Sequence, residues 1–199
     1  MSDFVYHFTD TTRLPWIIEA GELRPGLNRI GGYPVDFLWA TTNGTGDRTS
    51  SSAGRAARRA YREGVLQVIR FTLPAREFAG WPETVAKFPA WTPEQVARLE
   101  NAAANVGERG VENWRCRTNP LPLACACMVE AKSYASGRWT PIAATLEFCL
   151  TFDHNLLRRG FVIGEYAYGA TKGTTPEGAT FYGDLFRRGV HKLLEQRAA

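Results

Sequence analysis

The first apolar run, Phe4-Val5-Tyr6-His7-Phe8, predicts a buried opening strand. Leu14, Ile17 and Ile18 then recur at helical spacing. Thr12 serves as N-cap, Pro15 falls in the first turn and Gly21 stands at the C′ position, so a short helix is expected. Residues 24 to 36 carry loop residues. Phe37 to Thr42 is the next strand, followed by a turn over Asn43-Gly44-Thr45-Gly46-Asp47. Thr49 to Ser52 offer N-caps for a helix around Ala53 to Glu63, ended by Gly64. Val65 to Leu73 is the clearest strand, and Pro74 ends it. Residues 75 to 91 are irregular and aromatic. Thr92-Pro93-Glu94-Gln95 is a capping box with proline at N1, and it predicts a helix from Pro93 to about Ala104. Strands are expected at Trp114 to Cys116 and Leu123 to Glu130, around a turn at Asn119 to Pro122. Two more are expected at Ala144 to Phe152 and Phe161 to Tyr168. A Gly/Thr loop spans residues 169 to 180, and Asp184 caps a final amphipathic helix.

Strands outnumber helices and do not alternate strictly with them, which points to an α+β fold with a mixed or antiparallel sheet. Neither G-x-G-x-x-G nor a G-K-[ST] loop is present, which disfavours Rossmann and P-loop enzymes. At 199 residues, with no repeat and no low-complexity linker, one domain spanning 1–199 is expected. No apolar stretch is long enough for a membrane span, and no signal peptide is evident, so the expectation is a cytoplasmic protein.

The net charge of +4 is informative only through its clustering. Arg55, Arg58, Arg59 and Arg62 form a stripe on the helix after Ser52; Arg187, Arg188 and Lys192 form a second group. Either set reads as a solvated helix face or as a phosphate-binding surface. Cys125 and Cys127 form a C-x-C inside an expected strand and read as two small buried residues. With histidine only at positions 7, 154 and 191, no metal site is expected. Trp39, Trp81, Trp91, Trp114 and Trp139 read as core more readily than as stacking platforms.

The opening segment carries the chemical signal. Tyr6-His7-Phe8-Thr9-Asp10, followed by Leu14, Ile17-Ile18 and Gly21-Glu22-Leu23, resembles the start of DarT-type ADP-ribosyltransferases. In that family a strand ending in His-x-Thr leads into a short helix. The resemblance covers roughly residues 4 to 50. It implies an ADP-ribosyltransferase-like core, a split mixed or antiparallel sheet with flanking helices, that binds NAD as substrate. His7 would then hydrogen-bond a ribose of NAD, with Thr9 adding a hydroxyl beside it. The strand Phe37 to Thr42 matches the next family block, which implies Thr41 at the cofactor and the loop residue Arg48 as a catalytic cation at the NAD diphosphate or at the charge on the leaving side.

The family places its catalytic glutamate at the head of a late strand, behind a recognition loop. Glu112 fits that position first, Glu147 second and Glu130 third. The chain lacks the family's Ala-Glu-Phe-Leu-Val block, which leaves the three open and the acceptor undefined. The resemblance implies transfer of ADP-ribose to a macromolecule, with DNA or RNA as candidate acceptors and an antitoxin as candidate partner of a toxin. The alternatives are a non-catalytic nucleic-acid-binding module, which the arginine stripe motivates, and an NAD glycohydrolase with water as acceptor.

Overall fold

The computed structural model describes residues 3–11, 13–25, 37–47, 61–64, 66–105, 110–149, 151, 191 and 194–199. Nine strands are described: β1 (Phe4–Asp10), β2 (Glu22–Leu23), β3 (Leu38–Thr41), β4 (Val68–Pro74), β5 (Ala79–Gly80), β6 (Trp114–Arg117), β7 (Leu121–Pro122), β8 (Met128–Lys132) and β9 (Trp139–Pro141). The described helices are α1 (Leu14–Ala20), α2 (Trp81–Val85), α3 (Pro93–Asn105) and α4 (Leu146–Cys149). The arrangement is α+β, and each strand pair of described register is antiparallel. The chain forms two compact units: residues 1–8, 21–52 and 71–128, and residues 9–20, 53–70 and 129–199.

In the first unit the strand order is β5-β6-β3-β1-β4, with β2 and β7 paired separately. Trp39 lies opposite Cys116 and Thr41 opposite Trp114, so these four share one sheet face. That face is covered by an aromatic core of Phe37, Trp81, Trp91 and Trp114, which α2 and α3 close off. Phe37 alone meets the rings of Trp81 at 6.0 Å and Trp91 at 5.9 Å, contacts worth about 0.5–1.5 kcal/mol each beyond area burial. Trp81 Nε1 donates to Glu100 Oε1 at 2.8 Å, tying α2 to α3. The α3 capping box forms as expected: Thr92 N donates to Gln95 Oε1 and Gln95 N to Thr92 Oγ1.

In the second unit α1 packs on α4, whose Leu146 and Cys149 are buried one helical turn apart. Gly21 follows α1 at φ 66°, and Arg197 Nη2 donates to the Ile18 carbonyl at 3.1 Å, satisfying the helix end. Arg70 donates through Nε, at 2.8 Å, and Nη2 to the buried Glu130 Oε2, with its guanidinium 4.4 Å from the centre of the Trp139 ring.

Several local expectations are corrected. Within the strand expected at Ala144 to Phe152, the described residues 144–149 do not form one; Thr145 Oγ1 accepts the Phe148 N–H and starts α4 instead. A short apolar run fits either period, and here burial at i and i+3 decides. The expected strand from Leu123 begins only at Met128. Leu123–Cys125 is a 3-10 turn, set by the Leu123 N–H donating to the Gly21 carbonyl at 2.8 Å. Consequently Cys125 is half-buried and Cys127 exposed, and neither is a core residue. The segment 75–91 is ordered: a 3-10 turn at Ala75–Glu77, then β5 and α2, which Pro82 opens in its first turn. Thr12, Arg48, Arg55, Arg58, Arg59, the span 152–190 and Lys192 lie outside the described residues.

Candidate functional site

Three neighbouring strands of the first unit set the site's frame. Tyr6 on β1 faces Thr41 on β3, which faces Trp114 on β6. The same register sets His7 level with Ala40 and Arg115, while the Glu112 turn lies just beyond Trp114 at the head of β6; β3 runs between β1 and β6, which are therefore about 10 Å apart.

His7 is half-buried. Its Nδ1 lies 2.7 Å from the Trp39 carbonyl oxygen. A carbonyl can only accept, so Nδ1 bears a proton and donates it. The cross-strand bond fixes the ring's pose. Phe71 lies beside the ring at 6.2 Å between centroids.

Thr41 is fully buried, and its Oγ1 accepts the Asn43 N–H at 3.0 Å. Its hydroxyl thus holds the turn that follows. Asn43 organises that turn: Oδ1 accepts from Thr45 N and Oγ1, while Nδ2 donates to the Gly46 carbonyl and to Asp47 Oδ1. Gly46 closes it at φ 89°, which a side chain would strain. Gly44 lies against the Tyr6 ring: a Cβ there would sit 3.2 Å from Cε2. The turn is packed down on β1, with a buried carboxylate, Asp47, at its end.

Glu112 is exposed on the 3-10 turn Val111–Asn113 that heads β6. Two bonds anchor this turn to β3. Thr42 N donates to the Asn113 carbonyl at 3.0 Å, and Thr42 Oγ1 to Asn113 Oδ1 at 2.7 Å. Arg115 Nη1 donates to the Glu112 carbonyl at 2.7 Å. Gly110 lies close beside it: a Cβ there would meet Asn113 Nδ2 at 2.5 Å, so the Asn113 side chain would have to shift.

The first unit therefore carries His7, the Thr41 turn and the Glu112 turn on three successive strands. Thr9 is half-buried further along β1, in the second unit. Glu147 is exposed on α4 and not at a strand head, and Glu130 is committed to its ion pair with Arg70. The supporting residues Thr42, Asn43, Asp47 and Asn113 were not anticipated. Asn43 alone had a local signal, since asparagine opens turns by bonding its own backbone two residues on. Among the described residues no cluster of His, Cys, Asp and Glu has the makings of a metal site, and no helix is long and apolar enough to cross a membrane. Comparison with protein-family models, curated proteins and solved structures finds no match to this chain.

Proposed function

We propose that the first unit is a site for ADP-ribosyl transfer, with NAD as the donor substrate. The observation that carries this reading is the register Tyr6–Thr41–Trp114, which sets the strand bearing His7 and the strand headed by the Glu112 turn on either side of the Thr41 strand. His7 Nε2 holds a ribose hydroxyl of the nicotinamide nucleoside. Thr41 acts by securing the Asn43 to Asp47 turn, and Arg48 follows that turn in the chain. The bond between C1 of the ribose and the nicotinamide nitrogen breaks, and its electron pair neutralises the pyridinium. The Glu112 carboxylate stabilises the oxocarbenium-like sugar and accepts a ribose hydroxyl hydrogen bond. An oxygen or nitrogen of the acceptor then bonds to C1 and gives up its proton. The acceptor proposed is a macromolecule, with nucleic acid first.

The test is nicotinamide release from NAD by the purified protein, alone and with DNA, RNA or cell lysate. Release should fall by about 100-fold or more in Glu112→Gln and strongly in His7→Ala, with Glu147→Gln unaffected. The additive that raises release identifies the acceptor class, and free ADP-ribose as sole product identifies water. Full activity in Glu112→Gln with loss in Glu147→Gln would overturn the carboxylate assignment. Absence of release in every mixture would overturn the function.

A further inference from the structure

A second concave site lies in the first unit, at the far end of β6 from Glu112. Four residues separate Glu112 from Arg117, and the three strand steps from Trp114 to Arg117 alone span about 10 Å. The cleft has a volume of about 430 Å³, within the range of about 300–1,000 Å³ usual for small-ligand pockets. Three cationic side chains line it, Arg76, Lys87 and Arg117, against one carboxylate, Glu77.

Arg117 is fixed in place. Its Nη1 donates to Glu77 Oε2 at 3.0 Å, its Nε to the Asn119 carbonyl at 2.8 Å, and its Nη2 to the Pro120 carbonyl at 3.2 Å. Glu77 is thereby neutralised, so the exposed Arg76 and Lys87 leave the cleft with a surplus of positive charge. Phe78 and Phe88, both half-buried, give it apolar walls.

The wall also holds a poorly satisfied polar group. Thr84 is 6% exposed and lines the cleft, and its Oγ1 has no hydrogen-bond partner at standard geometry. The Cys116 thiol is beside it, but sulfur is a weak partner. An unsatisfied buried hydroxyl invites a ligand atom to complete it. Burial pushes the Cys116 thiol up to about 11 and so makes it a poor nucleophile at neutral pH.

We infer that this cleft binds an aromatic phosphate monoester, with the phosphate at Lys87, Arg76 and the pre-set Arg117, and the ring between Phe78 and Phe88 near Thr84. This inference stands apart from the NAD reading, since it uses neither His7 nor Glu112.

The experiment is calorimetric titration of the full chain with phenyl phosphate, inorganic phosphate and phenol. Phenyl phosphate should bind saturably, inorganic phosphate more weakly, and phenol not at all. The double variant Arg76→Glu/Lys87→Glu changes only exposed side chains and should weaken phenyl phosphate by about 10-fold or more. Thr84→Val, which removes the hydroxyl and keeps the shape, should weaken it several-fold. His7→Ala should bind it as the parent does. Unchanged affinity in the double variant, or no saturable binding to the parent chain, would overturn the site. Equal affinity for phenyl phosphate and inorganic phosphate would overturn the role of the rings, and loss of binding in His7→Ala would move the ligand to the other end of the unit.

Discussion

Replacing Asn43 with alanine tests whether the turn beside His7 is held by one side chain. Asn43 makes four side-chain hydrogen bonds, two with Thr45 and one each with the Gly46 carbonyl and Asp47 Oδ1. The Thr45 pair is exposed, and water replaces it at little cost. The other two are part-buried. The neutral bond to Gly46 contributes about 1 kcal/mol, and the charge-assisted bond to Asp47 about 1.5–3 kcal/mol. The Asp47 carboxylate is only 7% exposed and so feels the loss of its donor most. Allowing for non-additivity, Asn43→Ala should cost about 3 kcal/mol. With a urea slope of about 2 kcal/mol/M, the midpoint should fall by about 1–1.5 M. Tryptophan emission follows it well, because the buried Trp81, Trp91 and Trp114 all lie in the first unit. Thr45→Ala, which removes one exposed hydroxyl, should stay within about 0.5 kcal/mol of the parent. If the two variants lose the same amount, the burial argument is refuted.

Two cysteine experiments follow from the same reasoning. Burial raises the Cys116 thiol to about 11 and the Cys149 thiol to about 12 from an ordinary 9.0. Their folded values exceed the unfolded one, so the associated stability is fully present below about pH 9 and is lost as pH rises through 11 and 12. Cys116→Ala should flatten the decline in melting temperature between pH 9 and 11, and an equally steep decline would refute the assignment. Alkylation with iodoacetamide, mapped by mass spectrometry, should label the exposed Cys127 first and the half-buried Cys125 more slowly, leaving Cys116 and Cys149 protected. Labelling of Cys116 ahead of Cys127 would contradict the packing.

What was legible in the chain divides by the distance over which the deciding interaction acts. Thr92 and Gln95 are three residues apart, and their capping box announced α3 to within a residue of its observed end. The β4 strand was equally plain, because Ile69, Phe71 and Leu73 alternate with more exposed positions and all three are buried. The strand at Leu121–Pro122 was not plain: a proline-rich stretch reads as a turn until its partner, Glu22–Leu23, is known, and that partner lies about a hundred residues away. The α4 helix failed differently, since three apolar positions in four residues, Leu146, Phe148 and Cys149, do not choose between periods without the surface they pack on.

The candidate site shows the same division within a few residues. The Asn43 bonds to Thr45 and Gly46 are local, and a turn at Asn43 to Asp47 was expected from composition. The bond from Thr42 Oγ1 to Asn113 Oδ1 joins residues 71 apart, and the bond from His7 Nδ1 to the Trp39 carbonyl joins residues 32 apart. These two long-range bonds orient the histidine and the glutamate turn. A single sequence states which residues are suited to such chemistry, as His7 and Glu112 are, but the partners that aim them are chosen by strand register. Register in turn rests on the burial of one sheet face under Phe37, Trp81 and Trp91. A one-residue slip of β3 against β6 would turn Trp39 and Thr41 out of that face and separate Thr42 from Asn113. The aromatic core is therefore what sets the site's geometry, although none of its residues has a part in the proposed chemistry.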